Sequence, residues 1–107
     1  MIANTPTPPY YVVLFTSQLS GEKQHLYPDV AGLMVELAQK QPGFLGLEST
    51  RDSNGFGITL SYWDSKESIK NWKQNSDHLV AQKLGKEDFY KYYKTRVALV
   101  ERDYGME

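Results

Sequence analysis

The sequence predicts an α+β fold whose elements run in the order β-α-β-β-α-β. Three observations predict it: an aromatic, β-branched run near the start, a Pro-Gly helix stop that leads straight into a strand, and a short Asn-Gly turn between two strands. Tyr10 to Thr16 (YYVVLFT) has the composition of a strand buried on both faces. Ser17 to Tyr27 is polar and contains Gly21, which predicts a loop. Pro28 suits the first turn of a helix, where its missing N–H costs nothing. Val30, Leu33, Met34, Leu37 and Ala38 then recur at helical spacing. Lys40 suits the negative end of that helix, and Pro42-Gly43 ends it.

Phe44 to Arg51 and Phe56 to Trp63 form a hairpin around Asp52-Ser53-Asn54-Gly55, a turn that needs Asn or Gly at positive φ. Phe56, Ile58, Leu60 and Tyr62 share one face of its second strand. Gly57, Thr59, Ser61 and Trp63 share the other, and small residues ending in Trp predict close approach of a helix or a partner subunit. Asp64 is a suitable N-cap, with Glu67 completing a capping box. Ile69 and Trp72 begin the apolar stripe of the second helix. Asn75-Ser76-Asp77 interrupts the stripe and predicts the cap of a further short helix carrying Leu79, Val80 and Leu84, closed by Gly85. Tyr90 to Tyr104 reads as one long last strand.

This is the ferredoxin-like order, with two helices over one face of an antiparallel four-stranded sheet. Both parities of the first strand are hydrophobic, so the face away from the helices is too apolar for water. The simplest cover is a second copy, which predicts a homodimer with facing sheets. Residues 1–9, rich in Thr and Pro, are expected to be a flexible tail, and residues 10–107 a single domain.

Composition narrows the function. The chain has 107 residues, enough for one core, with 40% hydrophobic and 23% charged residues. Aromatic residues reach 13%, and Tyr and Trp favour pockets and interfaces. The formal charge is −1 and the Lys and Arg residues are scattered, which argues against a nucleic-acid partner. The absence of Cys excludes disulfides, thiolate metal sites and a cysteine nucleophile. The two His residues show no metal-binding spacing, so no metal is expected. No apolar run is long enough for a membrane span, and Met1 to Pro9 lacks the pattern of a signal peptide; a cytoplasmic location is the expectation.

Gln41-Pro42-Gly43-Phe44-Leu45-Gly46, the Asp52–Gly55 turn, and Tyr62-Trp63-Asp64-Ser65 leading to Trp72 resemble the antibiotic biosynthesis monooxygenase family. The resemblance spans about residues 10 to 104. It implies a dimeric α/β barrel with one pocket per subunit between sheet and helices. Some members of that family oxidise phenolic rings with molecular oxygen and use neither metal nor flavin, so no cofactor is expected here. Other members hold haem as both substrate and cofactor. The haem-degrading branch uses an Asn on the first strand, a Trp on the second helix and a His ten residues further on. Here Trp72 matches the Trp, but Gln82 stands ten residues on and Tyr10 to Thr16 contains no Asn.

Among single residues, His78 is the candidate proton acceptor, with an exposed or capping His as the plainer reading. His25 sits in a polar loop and reads as exposed. Trp72 and Trp63 are candidate pocket walls that can equally be core. Arg51 and Arg96, expected on neighbouring elements, can hold a phenolate or carboxylate, or simply make surface ion pairs. Thr16, at the end of the first strand, is a candidate ligand contact. The resulting expectation is a cofactor-independent monooxygenase of a small aromatic substrate. The alternatives are a non-catalytic small-molecule-binding dimer and a haem-binding or haem-degrading protein.

Overall fold

Six elements follow one another along the chain in the computed structural model, which describes residues 2–21, 27–84 and 90–106. They are β1 (Tyr10–Leu19), α1 (Tyr27–Gln39), β2 (Phe44–Arg51), β3 (Phe56–Trp63), α2 (Lys66–Leu84) and β4 (Tyr90–Val100). The strands form one antiparallel sheet in the order β2-β3-β1-β4. The expected ferredoxin-like order is therefore the observed one. No described helix is long and apolar enough to cross a membrane.

The register sorts side chains by face, because successive residues of a strand point to opposite sides. Leu19 packs with Val30 and Met34 of α1 and Val80 of α2, so the odd-numbered residues of β1 face the helices. Paired with them on that side are Gly57, Thr59, Ser61 and Trp63 of β3. Tyr10, Val12, Leu14, Thr16 and Gln18 face away, opposite Tyr62, Leu60, Ile58 and Phe56. Val30 and Ala38 are buried beneath α1, whereas Leu33 sits on its margin.

The local chemistry explains where each element stops. α1 ends at Gln39, where the N–H groups of Lys40 and Gln41 turn back to Leu37 and Ala38, and Gly43 then takes φ +86°. In the hairpin, the Asp52 carboxylate accepts from the N–H groups of Asn54 (2.9 Å) and Phe56 (3.0 Å). Gly55 occupies the left-handed region at φ +88°, the position the Asn-Gly pair predicted.

Four expectations need correction. β1 continues three residues past Thr16, because Ser17 pairs with Gly57 and Tyr93 and Leu19 pairs with Tyr90. The cap of α2 is Ser65, whose Oγ accepts from the Ser68 N–H at 3.1 Å; Asp64 Oδ1 instead accepts from Ser68 Oγ at 2.8 Å. Asn75-Ser76-Asp77 does not break α2. Asn75 donates to the Asn71 carbonyl, Ser76 to the Lys73 carbonyl, and Asp77 pairs with Lys73, so each is satisfied inside one continuous helix. β4 ends at Val100, and residues 101–106 are irregular. Gly85 and His25 lie outside the described residues.

Candidate site between the helices and the sheet

The Pro-Gly stop and the second-helix cap, distant in sequence, meet at one junction. The Asp64 N–H donates to the Gly43 carbonyl at 2.9 Å. A Cβ placed on Gly43 would stand 2.1 Å from Ser68 Oγ and 2.3 Å from Asp64 Oδ1, so only glycine fits. The contact holds the start of β2 against the start of α2, and it places Trp72 two turns further along that helix.

Trp72 stacks on Trp63, with ring centroids 5.7 Å apart and planes 27° from parallel. Phe44 also meets Trp63, edge to face, with ring centroids 5.4 Å apart. Trp63 is 0% exposed and its indole N–H donates to Ser61 Oγ at 2.9 Å, so its polar atom is satisfied and its ring belongs to the core. Trp72 is only half-buried. Of the two candidate walls, Trp72 can present a face to a ligand, and Trp63 supports it from behind.

Beyond the Trp pair, the helix-facing side of the sheet carries a row of residues in register across all four strands: Ser49, Thr59, Phe15 and Thr95. All four are at least partly accessible. The central residues of the rows on either side, Ser61 with Val13 and Gly57 with Ser17, are buried. Ser49 Oγ and Thr59 Oγ1 share a hydrogen bond of 3.0 Å. The aromatic group Phe15, Tyr90 and Tyr93 closes the far end, with ring centroids 5.3 to 5.9 Å apart. The arrangement is a band of hydroxyls and aromatic surface that the helices cover incompletely.

Arg51 lies at the edge of this band, but its donors are engaged. It donates to the carbonyls of Gly55 (2.6 Å) and Ser17 (3.3 Å) and to Ser17 Oγ (2.7 Å). A Cβ on Gly57 would come within 2.7 Å of the guanidinium carbon, so Gly57 leaves the space through which Arg51 reaches β1. Arg51 thus ties the hairpin tip to the end of β1.

The other predicted residues are not brought together. Arg96 is on β4 and Arg51 on β2, the two opposite edges of the sheet, with β3 and β1 between them. The expectation that they neighbour each other is wrong, because the sheet order separates strands that the chain order cannot rank. Arg96 also shares the helix-free face with Thr16, through pairing with Leu14. His78 is exposed on α2. Six residues separate it from Trp72, which at 3.6 residues per turn sets the two about 120° apart around the axis. Among the described residues, no group of three or more His, Asp or Glu side chains could hold a metal ion. Two open surface clefts of about 490 and 180 Å³ are lined by Pro28, Gly32, Leu33, Glu36, Leu37, Lys40 and Leu79, not by any of the predicted site residues.

A second polar cluster, on the helix-free face, left no trace in the sequence pattern. The Tyr62 hydroxyl donates to Glu48 Oε1 at 2.8 Å, and the Ala3 N–H donates to Glu48 Oε2 at 2.8 Å. The Tyr10 hydroxyl donates to Asp103 and lies 2.9 Å from Thr5 Oγ1. The Tyr10 and Tyr62 rings meet edge-to-face at 5.8 Å. Burial, then the Glu48 carboxylate, push the Tyr62 phenol up to about 12. Burial and Asp103 likewise raise Tyr10, while the Ala3 N–H and Tyr62 hold Glu48 below the usual carboxylate range. Tyr10 and Asp103 alone lie 93 residues apart, and no local spacing could announce the cluster.

Residues 10–84 match the family model described as antibiotic biosynthesis monooxygenase. The chain is 46% identical over 101 residues to the uncharacterized protein YqjZ of Bacillus subtilis, covering 94% of this chain and 88% of that one. Its fold is similar to that of a crystal structure of a putative antibiotic biosynthesis monooxygenase from Bordetella bronchiseptica, with a TM-score of 0.65, 12% identity, and 85% and 96% of the two chains covered. It is also similar to PA3566 from Pseudomonas aeruginosa, with a TM-score of 0.63, 16% identity, and 94% and 99% covered.

Proposed function

The chain belongs to the antibiotic biosynthesis monooxygenase family, and from that premise we propose that it is a cofactor-independent monooxygenase of a small phenolic or quinol-like substrate. The observation that carries this reading is the half-buried Trp72, stacked on the buried Trp63, whose row lies on the same helix-facing side of the sheet as the partly covered Ser49–Thr59–Phe15–Thr95 band. A flat ring stacks on Trp72, and its hydroxyls meet the hydroxyls of the band. An electron-rich ring can then pass electrons to oxygen itself. A ring C–H of a quinol, or a methylene beside the ring, becomes C=O, and the second oxygen atom leaves as water. The substrate supplies all four electrons, so the step needs no other reductant. The protein's share is to orient the ring and exclude water. His78, on another side of α2, has no role in this reading.

Oxygen uptake with a panel of hydroxyquinol-type and anthrone-type compounds tests it. The expected result is acceleration over the spontaneous rate, reduced at least about tenfold by Trp72→Ala and unchanged by His78→Ala. No acceleration across the panel would count against catalysis.

A second reading is favoured by one observation: the band offers hydroxyls but no His, Asp, Glu or Lys as a base. In that reading the same site binds an aromatic molecule without converting it, and Trp72→Ala lowers affinity while no compound is turned over. In either case we propose a homodimer. Phe56 and Ile58 are 39% and 37% exposed on the helix-free face beside Leu14 and Leu60, an apolar surface that a second sheet would cover.

A further inference from the structure

The helix-free face is not bare: the N-terminal segment already lies on part of it. Ala3 is held by Glu48, and Thr5 by Tyr10, which in turn is bound to Asp103 beyond β4. The approach is close, since a Cβ on Gly46 would stand 2.9 Å from the Ala3 Cβ. At this end of the face Tyr10 is 4% and Val12 8% exposed. At the other end, Phe56, Ile58 and Tyr92 remain open.

Two sheets that pack face to face stand about 10 Å apart, a gap filled by their own side chains. A segment of chain lying in that gap excludes the partner sheet. We propose that residues 2–9 are a strap that competes with a second copy of the chain for the helix-free face, so that release of the strap drives sheet-to-sheet dimerisation. This inference rests on the homodimer proposed above.

Charge supports the exchange. The face carries Glu48 at its β2 edge and Lys94 and Arg96 at its β4 edge. A two-fold axis parallel to the strands sets β2 of one copy over β4 of the other. A two-fold axis across the strands would set β4 on β4 and bring like charges together. In the favoured arrangement, Glu48 gives up the Ala3 N–H and meets Arg96 of the partner subunit. The strap and the partner thus use the same carboxylate in turn.

Sedimentation velocity over a range of concentrations tests the competition, on the full chain, on a variant lacking residues 2–6, and on Ala3→Pro. The last removes the N–H that Glu48 accepts and leaves the sheet intact. The dimer dissociation constant is expected to fall about tenfold in both variants, as loss of one or two competing hydrogen bonds predicts. Arg96→Glu added to the deletion should reverse that gain. A full chain that dimerises equally well or better than both variants overturns the strap alone. Monomers throughout, in all three, overturn the homodimer and the strap with it.

Discussion

At the residue scale, the chemistry of this protein is concentrated in a few side chains whose neighbours come from distant parts of the chain. Glu48 is the clearest case. Its carboxylate is shared between the Ala3 N–H and the Tyr62 hydroxyl, which depresses its own pKa and, with burial, raises that of Tyr62 to about 12. The two shifts act at opposite ends of the pH scale. Glu48 contributes stability that is present above the ordinary carboxylate pKa and is lost as pH falls through its lower folded value. Tyr62 contributes stability that is present below the ordinary phenol pKa of about 10 and is lost as pH rises through its folded value. Ultraviolet titration should show one tyrosine ionising near 12, and Glu48→Gln should bring it back toward the ordinary range. An unshifted titration curve in that variant would remove the pairing. Trp63 and Trp72 make a different point at this scale. Both were legible as aromatic residues flanking a strand end and a helix, but only the fold decides that one is core and the other wall.

At the scale of elements, the junction between the Pro-Gly stop and the start of α2 is the feature most dependent on a single residue. Gly43 combines a positive φ with the absence of space for a Cβ. Gly43→Ala should destabilise the protein by about 1–3 kcal/mol in urea unfolding, from backbone strain and displacement of Ser68. The cap beside it is open to a direct comparison. Ser65→Ala should cost about 1 kcal/mol, because the Ser68 N–H loses its acceptor. Asp64→Ala should cost less, since Asp64 only accepts from the Ser68 hydroxyl. The reverse ranking would return the cap to Asp64, where the sequence alone places it. The one-residue difference has a plain cause: Asp64 and Ser65 are both good caps, and spacing to Glu67 favours the wrong one.

At the scale of the whole molecule, the sheet has two unlike faces. One is covered by α1 and α2 and keeps the Trp72 wall with its band of hydroxyls. The other is covered in part by the N-terminal strap and otherwise exposes Phe56, Ile58 and Tyr92. A chain that buries this face against a second copy unfolds with dissociation. Its melting temperature should then rise with protein concentration, as mass action requires. A melting temperature that stays constant over a hundredfold range of concentration would indicate that the folded monomer is the working unit.

Local sequence sufficed for the order of elements, both strands of the hairpin, the Gly55 turn and the helix stop at Gly43, and it left open whether the small-residue side of β3 meets a helix or a partner subunit. These follow from periodicity, turn chemistry and backbone restrictions, which act over a few neighbouring residues. The extra length of β1, the unbroken course of α2 and the separation of Arg51 from Arg96 were decided only by the tertiary structure. Ser17 reads as a loop residue until Gly57 and Tyr93 supply its pairing, and Asn75 reads as a helix breaker until the carbonyl of Asn71 accepts its proton. The placement of Glu48 between Ala3 and Tyr62 belongs to the same class, because hydrogen-bond partners across a sheet depend on strand order and register, and neither is written in local spacing.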